Sequence, residues 1–193
     1  MLRIIGLLIL CFFYAVYIGK ALLQRRRGIR TDQIARRETH DRVYYTELVM
    51  KAATWAVVIA EVIAILRWGE GVPLPLRIAG IALGVGGDVL FLCAVVTMQD
   101  SWRAGVAEGE HTELVTDGIY RFSRNPAFLA FDLVYAGMLL MFFHPVLLVL
   151  TLLAATMLHL QILQEEHCLS GKFGAPYTAY CRRVRRYLGR RRA

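Results

Sequence analysis

The chain has 193 residues, of which 57% are hydrophobic, and a formal charge of +8. Its mean hydropathy is +0.47, and its apolar residues lie in long blocks rather than at the spacing of a soluble core, which excludes an ordinary soluble domain. The basic residues flank those blocks, so anionic lipid headgroups fit the charge better than nucleic acid does.

Five blocks approach or exceed the ~20 residues that cross a bilayer. They are Leu2–Leu23, Leu48–Leu66, Ile78–Met98, Ala127–Phe143 and Val146–Leu163. The reading is an all-α integral membrane protein with about five transmembrane helices. Residues 1–76 hold two helices and a basic connector, and residues 77–193 hold the other three with a loop at 100–126 and a tail. With the amino terminus outside, all but three of the 23 basic residues (Arg3, Arg67 and Arg77) fall on the inner side. The positive-inside rule then places the carboxyl terminus in the cytoplasm, and the expected location is an inner or cytoplasmic membrane. Arg25-Arg26-Arg27 after the first block stops transfer, so that block reads as a retained helix and not a signal peptide. The four cysteines have no zinc or redox spacing; free thiols and no metal site are expected.

The first span carries no charge in its middle. The connector that follows, with His40, reads as an interfacial helix or a solvated loop. Spans two and three contain Glu61 and Asp88, and carboxylates at such depth face a partner or a watery cavity. Asp88 follows Gly80, Gly84, Gly86 and Gly87, a pattern that reads chiefly as a packing face. Trp102 and Arg103 suit a membrane interface as anchors, or one wall of a pocket. Asp117-Gly118 marks a turn; Asn125-Pro126 marks a helix start, with Asn125 as cap and Pro126 in the first turn. Asp132 shares the face of Asn125 and Tyr135. Helix five carries His159 and Gln161 and ends at the pair Glu165-Glu166. Tyr177, Tyr180 and Val184 then repeat at helical spacing, which predicts a short surface helix.

Leu114-Val115-Thr116-Asp117-Gly118-Ile119-Tyr120-Arg121, Arg124-Asn125-Pro126, Glu165-Glu166 and Tyr177-x-x-Tyr180-x-x-Arg183-Val184 occur in this order. Together, over roughly residues 78–188, they resemble the isoprenylcysteine carboxyl methyltransferase and phospholipid methyltransferase superfamily. The family's usual His is Asn125 here, as in the Asn-Pro of phosphatidylethanolamine methyltransferases. An amide can replace a neutral imidazole as a hydrogen-bond partner, but it cannot titrate.

The resemblance implies methyl transfer from S-adenosylmethionine to a lipophilic small molecule or lipid. The acceptor expected first is the carboxylate of an isoprenylcysteine-like or other isoprenoid compound, and the alternative is a phospholipid amine. Glu165 and Glu166 would accept hydrogen bonds from the cofactor's ribose or ammonium, and Arg121 or Arg124 would take its carboxylate. Tyr120 and Trp102 offer aromatic faces to the methylsulfonium, and Asn125 and Pro126 complete the cofactor-binding set. Family analogy gives Arg183 the acceptor carboxylate. An amine acceptor would need a base, for which Glu166 and Asp132 are candidates. The tail also resembles that of membrane sterol reductases, which use NADPH but are roughly twice as long. A non-catalytic membrane scaffold is the third alternative, and cofactor binding separates all three.

Overall fold

The computed structural model describes residues 1–29, 31, 34, 41–67, 71–102 and 113–191. His40 and Arg103 lie outside the described residues. The helices are α1 (Leu2–Arg26), α2 (Arg42–Arg67), α3 (Leu74–Met98), α4 (Pro126–Met141), α5 (Pro145–Phe173) and α6 (Ala175–Arg183). Among the described residues there is no strand beyond an isolated bridge between Val184 and Arg190.

α1, α2, α3 and α5 are long and apolar enough to cross a membrane, whereas α4 is a shorter apolar helix. At 1.5 Å per residue, the 16 residues of α4 span about 24 Å, less than the ~30 Å hydrocarbon core. Ile4, Leu8, Trp55, Val96 and Val149 are each more than half exposed. Such large apolar side chains outside a soluble protein would be costly, and lipid is their natural solvent. The chain is an all-α integral membrane protein.

Two helix pairs dominate the packing, α3 with α4 and α2 with α5. The first pair touches backbone to backbone. A Cβ built on Gly80 would stand 2.6 Å from the Gly137 carbonyl oxygen, and one on Gly137 would stand 2.7 Å from that of Gly80. Gly87 presses in the same way on Ala130 and Val134 of α4, while Gly84 receives Ile9 of α1. Gly86 faces open space. The packing reading of this glycine cluster therefore holds for three of the four positions.

An aromatic cluster ties α1 to α3 and α4: Phe13 stacks on Phe91 at 4.4 Å and meets Phe131 edge-on at 4.7 Å. At the far end of α1, Gln24 is buried and donates to the Trp102 carbonyl (3.0 Å) while accepting from Thr31 (2.7 Å). Gln24 thus belongs to the body of the bundle rather than to the charged connector.

The structure corrects the expected end of the hairpin. α5 runs on to Phe173, so Glu165 and Glu166 lie within a continuous helix and not at its end. Their carbonyls still have helical partners, and the macrodipole penalty of a terminal acid does not apply to them. The short helix expected in the tail is present as α6, but its face is buried: Tyr177 and Tyr180 are 2% and 3% exposed.

Candidate active site

Gly118 opens the site. It has a φ of +56°, which L side chains rarely adopt, and a Cβ there would meet the Thr97 side chain at 2.9 Å. The turn is followed by a 3₁₀ segment, Gly118–Arg121, which buries Tyr120 to 5% exposure. α6 packs back on this segment. The Tyr180 hydroxyl donates to the Tyr120 carbonyl at 2.7 Å.

Beyond α6 the tail folds over the same loop. Gly189 N donates to the Phe122 carbonyl (2.7 Å), and Arg124 N donates to the Arg185 carbonyl (3.1 Å). These bonds carry Arg186 to the amino end of α4.

The centre of the site is Glu166. Its Oε1 accepts from Arg124 Nη2 at 2.9 Å and Asn125 Nδ2 at 3.0 Å. Its Oε2 accepts from Arg186 Nε at 3.0 Å and Nη2 at 2.8 Å. The Arg124 and Glu166 side chains are only 8% and 12% exposed. A charge so enclosed is retained only when paired and hydrogen-bonded, and one carboxylate here holds two guanidiniums. The Arg186 bond to Glu166 pushes its guanidinium further up from its ordinary range. Burial pushes the Tyr120, Tyr177 and Tyr180 phenols up, so all three are neutral at physiological pH.

Asn125 stands at the cap position of α4, with Pro126 in the first turn, but its side chain makes no capping bond. The amide turns instead to Glu166 and to the Arg186 carbonyl at 3.2 Å. It latches the loop to α5 and to the tail at once. Asn125→Ala removes two donors from a charged cluster, and hydrogen bonds to charged groups contribute ~1.5–3 kcal/mol. A roughly tenfold or larger loss of ligand affinity is expected. Asn125→His retains one N–H donor and is expected to lose less; equilibrium binding measurements on both variants compare them directly.

The other candidate residues separate. Arg121 is exposed and pairs with Asp117 at 3.1 Å, away from Glu166. Arg183 is exposed, and the arginine that reaches Glu166 is Arg186, three residues on. Reading the tail as a helix hid this, because α6 stops at Arg183 and the extended chain after it turns Arg186 inward. Glu165 accepts from Gln161 at 3.3 Å. Asp132 has one buried oxygen without a hydrogen-bond partner among the described residues. So do Asp88 and, at both oxygens, Glu61.

Trp102 is buried against Tyr17 and Phe91 and forms one wall of a cavity of about 420 Å³. Tyr17 and Ala21 of α1, Trp55 of α2 and Phe131 of α4 contribute to its largely apolar lining. Its polar end includes Gln161, which also donates to the buried Glu47 at 3.3 Å and so joins α5 to α2. Gln161 also donates to Glu165, the sequence neighbour of Glu166, and Ala127 and Phe128, just after Asn125-Pro126, line the same cavity.

Residues 80–171 match the isoprenylcysteine carboxyl methyltransferase family. A protein-S-isoprenylcysteine O-methyltransferase B of Arabidopsis thaliana is 28% identical over 108 residues, covering 54% of this chain and 55% of that protein. The chain thus aligns with about half the length of this curated relative. The match takes in the glycine face of α3, the Gly118 turn, Arg124-Asn125-Pro126 and Glu165-Glu166, and it stops before Arg186. Over residues 80–171 the chain is similar in sequence to the isoprenylcysteine carboxyl methyltransferase family, within an all-helical membrane protein.

Proposed function

We propose that this protein transfers a methyl group from S-adenosylmethionine to the carboxylate of a lipophilic, isoprenylcysteine-like acceptor. The observation that carries the proposal is an enclosed cluster of Glu166, Arg124, Asn125 and Arg186 beside an apolar cavity within the bundle. The sulfonium of S-adenosylmethionine supplies an electrophilic methyl, which an ionised carboxylate can take directly.

The donor set fits that cofactor. Arg124 Nε is buried and has no acceptor among the described residues, and a cofactor carboxylate would satisfy it. Both oxygens of Glu166 are already engaged, so Glu166 is assigned to holding Arg124 and Arg186, and Glu165 to the cofactor's hydroxyl or ammonium donors. Tyr120 and Pro126 shape the loop side. Trp102, as a cavity wall, is placed with the acceptor rather than with the adenosine. Arg186 is assigned to the acceptor carboxylate in preference to the exposed Arg183.

A carboxylate acceptor needs no general base, which leaves Asp132 without a proton to move in this reaction. The residues' work is alignment and exclusion of water. The cavity would take the hydrocarbon tail from the bilayer, while the basic loop and tail would meet the cofactor from the cytoplasm. Asn125 serves here as a latch, so its difference from the family's His does not require an amine acceptor.

The test is transfer of labelled methyl from S-adenosylmethionine to a farnesylated cysteine with a free carboxylate, beside its methyl ester and phosphatidylethanolamine. Labelling of the free acid alone is expected. Labelling of phosphatidylethanolamine alone would move the protein to the phospholipid methyltransferases. Ala21→Phe fills the cavity and is expected to raise the acceptor's KM about tenfold with little change in S-adenosylmethionine binding, consistent with ~0.8 kcal/mol per buried CH₂ of displaced tail. An unchanged acceptor KM would remove the tail from this cavity.

A further inference from the structure

A second cavity, of about 430 Å³, lies at the opposite end of the bundle. α1 begins there and ends near the Trp102 carbonyl, while α4 starts after Asn125 and ends there, just before Phe142. The cavity is therefore on the membrane face away from Glu166. Its walls are apolar, with Leu2 and Ile5 from α1, Ile78 from α3, and Phe142. Two guanidiniums line it, those of Arg3 and Arg77, beside Met1 with its amino group.

Neither arginine is explained by the fold. Each lies near the amino end of its helix, where the macrodipole penalises positive charge. Arg77 Nε is buried and has no hydrogen-bond acceptor among the described residues, and the salt bridges found among those residues include neither Arg3 nor Arg77. Ile4, Leu74 and Ile78 beside the cavity are 63%, 67% and 58% exposed, so the groove opens sideways into the hydrocarbon. Two guanidiniums at the headgroup level above an apolar, laterally open groove match an anionic amphiphile. The phosphate would satisfy the guanidiniums and an acyl chain would lie along the groove.

We infer that this face holds one anionic phospholipid, with its phosphate between Arg3 and Arg77, at a site separate from the one around Glu166. The Glu166 cluster does not take part in it, so the site stands or falls independently of the methyltransferase reading.

The experiment is native mass spectrometry of the full chain in detergent, titrated with phosphatidylglycerol or phosphatidylcholine. Wild type is expected to retain one phosphatidylglycerol in preference to phosphatidylcholine. Arg3→Gln/Arg77→Gln is expected to weaken that binding roughly tenfold, in line with the worth of two basic residues at a lipid surface. Arg25→Gln/Arg26→Gln, at the other end of α1, is expected to leave the tightest site intact. Equal retention of the two lipids by wild type would overturn the inference, as would unchanged affinity in the Arg3/Arg77 variant or loss of the tight site in the Arg25/Arg26 variant. Displacement of the lipid by an equal concentration of inorganic phosphate would also overturn it, because the groove would then contribute nothing. The headgroup comparison needs only wild type, so a variant that fails to fold does not leave the inference untested.

Discussion

Glu166→Gln is expected to abolish saturable S-adenosylmethionine binding in the range that saturates wild type and to cut methyl transfer by roughly 10²–10³-fold. The reason lies in the pairing. Glu166 is a single carboxylate accepting from Arg124, Asn125 and both nitrogens of the Arg186 fork. An amide keeps one acceptor oxygen and turns an NH₂ group toward the other donors. Arg124, at 8% exposure, would be left as a buried cation without its counter-ion, and breaking such a pair costs ~3–5 kcal/mol. Part of that cost falls on stability and part on the placement of Arg124. The double variant Glu166→Gln/Arg186→Gln is expected to lose less than the sum of the single losses, because both act through one network. Wild-type affinity in a folded Glu166→Gln protein would remove Glu166 from the binding site.

Gly137→Val is expected to have the largest effect on stability. At Gly137 the new Cβ would lie 2.7 Å from backbone atoms of Gly80 and Gly84. Those atoms cannot rotate away as a side chain could, so α3 and α4 must separate. Overpacking a fitted contact costs ~1–3 kcal/mol for an added methylene or two, and a branched side chain against backbone belongs at or above the upper end. Gly86→Ala is the control. Its Cβ meets open space, and alanine's helix propensity is expected to leave the protein as stable or more so, by up to ~1 kcal/mol. Thermal unfolding in detergent would order the three proteins Gly86→Ala, wild type, Gly137→Val. Equal stability of wild type and Gly137→Val would contradict the close contact of α3 and α4.

The spans were legible because hydropathy over ~20 residues is a summed signal that no single side chain can mask. Their ends were less so. The carboxyl end of α5 lies beyond its apolar run because Gln164, Glu165 and Glu166 are good helix formers that continue the helix once it leaves the hydrocarbon. The glycines of α3 were readable as a packing face, but their partner Gly137 was not, since a lone glycine in α4 has no spacing to announce it.

Motif order pointed to Arg124, Asn125 and Glu166, and the structure brings these three together. Periodicity could not show what Asn125 does, because a residue at a cap position is read first as a cap. Arg186 was hidden for a different reason. Six arginines crowd residues 182–191, and only the return of the chain through Gly189, at a φ of +104°, decides which of them points inward. Gln24 and Glu47 looked like solvated connector residues by composition. Tertiary contacts with Trp102 and Gln161 bury both.

The most direct measurement is equilibrium binding of S-adenosylmethionine and of NADPH to the purified, folded protein, for wild type and Glu166→Gln side by side. Saturable S-adenosylmethionine binding by wild type, its loss in Glu166→Gln, and no NADPH binding by either protein are the expected results. Saturable NADPH binding without S-adenosylmethionine binding would contradict them and point to reductase chemistry, and binding of neither by folded wild type would leave the bundle a scaffold.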